Sequence, residues 1–384
     1  MKRSLPAAAI FLAALCLRPA ITAVGPLLPQ ISAEEGLEEA AQGLLGALPL
    51  LAFALVSPQV HRISGRLGME RAVLAALVVL AAGTVARSYT GAAGLWTGTV
   101  VIGCAIAVGN VLVPAIVKRD FTANVSRATG FYTAFITIAA SLASAVAVPI
   151  ADAVDWRLSL AVWAAPAVLV AVAWAPRATD APHVEPVRGG GEEAVWRQRR
   201  AWLITAFMGL QSTCFYVLVT WLPTIEVADG VSERTAGLHL FLFQGMGILG
   251  GLAIPVLLRD PGRRAVGAAA ASLPVVVAVS GLLTAPGLAV LWVAIAGLGQ
   301  GAALVTALTL ISLGGRTPAG TTRLSGMAQS LGYLLAAAGP VAAGILAERT
   351  GAWQATLVMV AGLGLLQTAA GAAAGRPAVI GSRS

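Results

Sequence analysis

Apolar stretches of roughly 20 residues follow one another along almost the whole of this 384-residue chain. A helix needs about 20 such residues to cross the roughly 30 Å of a bilayer's hydrocarbon core. Runs of this length and apolarity read as membrane-spanning helices. The sequence predicts twelve spans, over residues 5–31, 40–60, 71–88, 94–117, 128–150, 157–175, 202–226, 235–258, 265–285, 287–313, 325–346 and 353–374. The tightest division is "APG" at 285–287, the only turn signal between the ninth and tenth. Composition agrees: 11% of residues are charged, against about 25% in a soluble domain. The 43 glycines suit helices that approach one another backbone to backbone in lipid.

The formal charge of +8 is a matter of topology. Twenty of the Lys and Arg residues fall in alternate connections that include both termini, and four (Arg87, Arg157, Arg234 and Arg349) fall in the others. The positive-inside rule then places both termini in the cytoplasm. Charge spread over short loops makes no nucleic-acid surface, and none is expected. "MKRSLPAAAIFLAALC" begins like a signal peptide, but its apolar run continues to Ile31, so it reads as a retained first span. Residues 177–199, rich in Pro, Gly and mixed charge and including His183, form the only long polar stretch and read as a cytoplasmic linker between six-helix halves at 1–176 and 200–384. Pro29 and Pro223, and again Gly103 and Gly297, stand at one common offset of 194 residues, a weak trace of a duplicated fold.

Inside the first span is a charge. Arg18 lies 13 residues from either end of its run, about 20 Å of helix at 1.5 Å per residue, beyond comfortable reach of the interface. Its insertion costs about 2.5–3.5 kcal/mol or more, so it must face protein or a wet cavity. The acidic residues lie in loops apart from Glu226, near the end of the seventh span, so no carboxylate is available at mid-depth. Two readings follow: carbonyls of broken helices and side-chain amides satisfy Arg18, or its planar fork receives an anionic or nitro-bearing solute. Pro19 removes a helical N–H and frees the carbonyl of Leu15, and Thr22 and Gly25 share the face of Arg18, giving a hydroxyl and a cleared space beside the charge. Pro19, Gly25 and Pro114 are candidate hinge or gating positions.

Other spans carry isolated polar groups near mid-depth: Asn110, Gln211, Ser212, Tyr216, Gln244, Gln300, Gln329 and Tyr333. Each is either interhelical glue or part of a cavity lining. The 194 offset sets Ser212 opposite Arg18. Thr133, Thr137, Ser141 and Ser144 form a small hydroxyl stripe suited to packing. Cys16, Cys104 and Cys214 fall in apolar runs and read as core residues. Enzyme chemistry is not expected: His61, His183 and His239 have no metal-ligand spacing, no phosphate loop is present, and no paired carboxylates lie in the membrane. No cofactor is expected.

"LRPAITAVGPLLPQI" (17–31), "GNVLVPAIVKRDF" (109–121), "GFYTAF" (130–135), "WLPTI" (221–225) and "GLGQGAALVTALTLI" (297–311) resemble the cyanate and 2-nitroimidazole (CynX/NimT) branch of the major facilitator superfamily. "HRISGRLGMER" (61–71) resembles a degraded form of that superfamily's loop motif and lacks its central acidic residue. Cys16 departs from the asparagine usual in relatives. The resemblance implies an all-α membrane protein of twelve helices in two six-helix bundles, with alternating access around a central site. It maps the first-helix motif onto Leu17, Arg18 and Pro19, and the fourth-helix motif onto Gly109, Asn110 and Pro114. The expectation is a monomeric multi-pass transporter of the inner membrane, moving a small anionic or nitro-bearing solute bound by Arg18, Thr22, Asn110, Gln211, Ser212, Tyr216, Gln300, Gln329 and Tyr333. Efflux of drug-like compounds, and membrane sensing without transport, are the alternatives.

Overall fold

The computed structural model describes residues 4–121, 125–179, 195–315 and 318–376. His183 and most of the expected linker lie outside the described residues. Among those described, twelve helical spans are long and apolar enough to cross a membrane: Ala8–Glu35, Glu39–Leu67, Met69–Tyr89, Gly91–Asp120, Phe131–Ala153, Trp156–Thr179, Arg199–Ala228, Glu233–Leu258, Pro261–Thr284, Pro286–Gly314, Arg323–Thr350 and Gln354–Gly375. Each predicted run therefore corresponds to one span. The "APG" turn falls in the short 3₁₀ segment Pro286–Leu288. The sixth span continues to Thr179, three residues into the segment read as linker, and Arg177 there bonds Asp120 at 2.5 Å.

Large apolar side chains such as Leu55, Leu169, Val172, Leu252 and Val256 point outward, while alanines dominate the interior. That inversion of the soluble pattern suits a lipid solvent, in which small residues bring backbones together. Gly297, for example, stands where a Cβ would lie 2.1 Å from the carbonyl oxygen of Phe243, and Gly301 where it would lie 1.8 Å from that of Gly247. Only hydrogen fits at either place, so the eighth and tenth spans touch backbone to backbone.

Along the chain the first six spans form one group and the last six another, and five pairs of spans meet between them: the second with the eleventh, the fifth with the eighth, the first with the seventh and the eighth, and the second with the seventh. The bundle has one arginine-rich end, carrying Arg62, Arg66, Arg119 and Arg264, and one arginine-poor end at the opposite helix termini. At the arginine-poor end the groups close on glycines. A Cβ on Gly25 would lie 2.3 Å from the carbonyl oxygen of Val219, one on Gly43 2.3 Å from that of Pro340, and one on Gly344 2.2 Å from that of Glu39. Gln30 bonds Glu233 at 2.7 Å, and Arg234 bonds Asp152 at 3.3 Å, across the same end. Hydrogen bonds from Arg18 to Tyr216, from Ala40 to Glu348 and from Gln244 to the fifth span also join the two groups, at this end or at mid-depth. At the arginine-rich end, Arg119 pairs with Glu70 at 2.6 Å and with Asp120 at 2.8 Å, ties made within the first group.

Candidate functional site

The first span is not one continuous helix. Helix Ser4–Cys16 stops, a four-residue turn Pro19–Thr22 follows, and helix Val24–Glu35 resumes. The sequence explains the interruption. Pro19 has no N–H to give the preceding turn, and Pro26 has none for the carbonyl of Thr22 four residues earlier. Arg18 itself sits off helical geometry, at φ −130° and ψ −36°. Its carbonyl accepts from the N–H groups of Ile21 (2.9 Å) and Thr22 (3.1 Å).

Neighbouring spans take up what the break releases. Ser144 of the fifth span donates to the carbonyl of Thr22 at 3.3 Å, and the Thr22 hydroxyl donates to the carbonyl of Ala140 at 3.1 Å. Gln244 of the eighth span reaches Ser144 Oγ at 2.8 Å and the Ala140 carbonyl at 3.3 Å. Arg87 of the third span donates from Nη1 to the carbonyl of Ala20 at 2.5 Å. Arg87 is 2% exposed, so its assignment to a loop is corrected: its side chain folds back among the helices.

Within this frame Arg18 is partly buried, and its Nη1 donates to the Tyr216 hydroxyl at 2.5 Å. The guanidinium carbon lies 5.7 Å from the centre of the Tyr216 ring, within cation–π range. Tyr132 and Tyr333 also stand within electrostatic range of Arg18. Tyr333 packs edge-on against Phe53, with centroids 5.4 Å apart. Among the described residues no Asp or Glu pairs with Arg18. The group it bonds is a phenol, which can donate or accept hydrogen bonds and carries no charge to cancel the cation.

The other expected site residues divide. Asn110 and Gln329 are partly exposed; Gln329 bonds Ser325 at 2.9 Å. Gln300 is buried with neither amide atom bonded to protein. Gln211 turns to Ser212, at 2.7 Å, so the pseudo-repeat partner of Arg18 faces its own neighbour, and Tyr216, one helical turn further on, meets the arginine. Thr22 is 1% exposed and engaged by backbone carbonyls. The space expected beside Gly25 is filled by the backbone of the seventh span. Pro19 is buried in the break, and Pro114 lies inside the fourth-span helix. Sequence reasoning missed Tyr132, although it quoted "GFYTAF", and Arg87. Glu226 and His239 meet at 2.8 Å between the seventh and eighth spans. They lie toward the arginine-poor end, ten residues beyond Tyr216 along the seventh helix, or about 15 Å.

Comparison with known proteins agrees with this architecture. The model of the Major Facilitator Superfamily matches residues 10–337. The 2-nitroimidazole transporter of Escherichia coli (strain K12) is 39% identical over 372 residues, 96% of this chain and 95% of the relative. The cyanate transport protein CynX of the same organism is 29% identical over 354 residues, covering 89% and 90%. Among solved structures, a D-xylose-proton symporter superposes with a TM-score of 0.76 at 14% identity, over 94% of this chain and 95% of the other.

Proposed function

Because the chain belongs to the major facilitator superfamily, and is thus a multi-pass membrane transporter of small molecules, we propose that its solute is small and anionic or nitro-bearing. Arg18 is the group that binds it. The carrying observation is the guanidinium at mid-depth, bonded to the Tyr216 phenol and paired with no carboxylate among the described residues. A desolvated cation held this way gains most from a ligand bearing the missing negative charge, and its fork suits a carboxylate, a nitro group or a linear pseudohalide. The names of two relatives, one for 2-nitroimidazole and one for cyanate, favour the same class. Tyr132, Tyr216 and Tyr333 contribute hydroxyls; Asn110, Gln300 and Gln329 complete the polar lining. Gln211, Ser212 and Thr22 act behind that surface by holding helices together.

Residues 1–176 and 200–384 act as two bundles that rock about this site. The arginine-rich end is cytoplasmic and the protein resides in the inner membrane, so the glycine-packed contacts at the arginine-poor end seal the outer side. Glycine contacts can separate and re-form without unpairing buried charge, which suits a gate.

Purified protein in liposomes provides the test, with labelled cyanate and labelled 2-nitroimidazole as probes. Wild type is expected to carry at least one of them, and Arg18→Ala to carry neither while eluting as a monodisperse, thermally cooperative protein. Full transport by Arg18→Ala would overturn the assignment.

A further inference from the structure

An arginine two residues from the end of its span would ordinarily extend to the interface, where water solvates the charge at little cost. Arg87 does not. It lies in the last turn of the third-span helix Met69–Tyr89, is 2% exposed, and among the described residues pairs with no carboxylate. Its Nε and Nη2 have no protein partner. The adjoining Thr84 and Ser88 hydroxyls are occupied with their own helix, on the carbonyls of Leu80 and Thr84. The single hydrogen bond of this buried cation goes to the carbonyl of Ala20, at 2.5 Å, inside the break two residues from Arg18.

The backbone around Arg87 is closely confined. A Cβ on Gly98 of the fourth span would lie 2.6–2.7 Å from the N, Cα and Cβ atoms of Arg87, so that span passes directly against it. The break is thus fixed from two sides: Ser144 holds the Thr22 carbonyl and Arg87 the Ala20 carbonyl. A charged donor makes the stronger bond of the two.

We propose that Arg87 is a positioning residue for solute binding: through the Ala20 carbonyl it fixes the first-span break in the geometry that presents the Arg18 guanidinium to Tyr216 and to the solute. This rests on the solute-binding role of Arg18. Arg87 touches no solute and acts through the backbone alone.

The test compares Arg87→Met, Arg87→Gln and Arg87→Lys with wild type, in detergent and in liposomes. Hydrogen–deuterium exchange is read over residues 19–25 and over the rest of the bundle, and the KM and maximal rate are read for cyanate and 2-nitroimidazole influx. In the Met variant, exchange at 19–25 should rise about tenfold and the KM about tenfold, as for loss of one charge-assisted bond, with the maximal rate within about threefold. Lys, which keeps a charged donor on a shorter stem, should recover most of both effects. If Met does not fold, the comparison of Gln with Lys carries the same readings. Exchange that is unchanged at 19–25, or raised equally throughout the bundle, would overturn the proposal, as would a Lys variant no better than Met or Gln. Should wild type carry neither probe, the reading of the solute fails, and the exchange data still decide whether Arg87 holds the break.

Discussion

Substituting Gly43 by alanine should hold the transporter open at its arginine-poor end. Gly43 lies on the second span, where a Cβ would stand 2.3 Å from the carbonyl oxygen of Pro340, 2.9 Å from its carbonyl carbon and 3.0 Å from the Cα of Val341. All three are backbone atoms of the eleventh span, so no side chain can turn aside. Bringing the closest contact into even the tight 3.0–3.4 Å range requires the helices to part by about 0.7–1.1 Å. Overpacking of this kind costs about 1–3 kcal/mol. The cost falls only on the closed arrangement, whereas the better helix propensity of alanine applies to both and cancels. The equilibrium should therefore move about 5- to 150-fold toward the arrangement open at this end. Spin labels on the exposed residues Glu38 and Thr350, in a background without the native cysteines, report the separation by double electron–electron resonance. Gly43→Ala should add a longer-distance population. Gly326→Ala, on the eleventh span with nothing within 4 Å of its Cβ, should add none. Indistinguishable distributions for Gly43→Ala and wild type would refute the view that this contact belongs to a gate.

Two further outcomes are expected. Tyr216→Phe keeps the ring against Arg18 and removes the hydroxyl it bonds, so affinity for an anionic solute, measured by isothermal titration, should fall about tenfold; unchanged affinity would show the phenol to be a bystander. Glu226→Gln should leave the influx KM within about twofold, because that carboxylate meets His239 at 2.8 Å about 15 Å along the seventh helix from Tyr216; a tenfold change would mean that Glu226 acts on the Arg18 site.

The spans were legible because lipid leaves the backbone so few options that length and apolarity suffice. Arg18 was legible for the same reason, as a charge too deep in its run to reach water. Arg87 was not. Two residues from a helix end, an arginine ordinarily faces the interface, and only the path of its side chain in three dimensions places it on the Ala20 carbonyl. Gly25 read as cleared space beside the charge, yet its missing side chain admits the Val219 carbonyl of the other group of helices, a partner nearly 200 residues away. Ser212 shows the limit of a repeat offset. The offset found the correct helix, but rotation about its axis delivers Tyr216 to the arginine and turns Ser212 to Gln211.

The central claim is that the missing counter-charge of Arg18 arrives with the solute. The direct measurement is thermal stability of the purified protein against cyanate, nitrate, 2-nitroimidazole and small carboxylates, for wild type, Arg18→Lys and Arg18→Ala. A solute at 100 times its Kd stabilises the folded state by about 2.7 kcal/mol, enough for a visible rise in melting temperature. At least one of these solutes should raise it in wild type, less in Arg18→Lys, whose ammonium has no fork, and not at all in Arg18→Ala. An equal rise in Arg18→Ala would mean that the solute binds without the arginine, and would contradict the account.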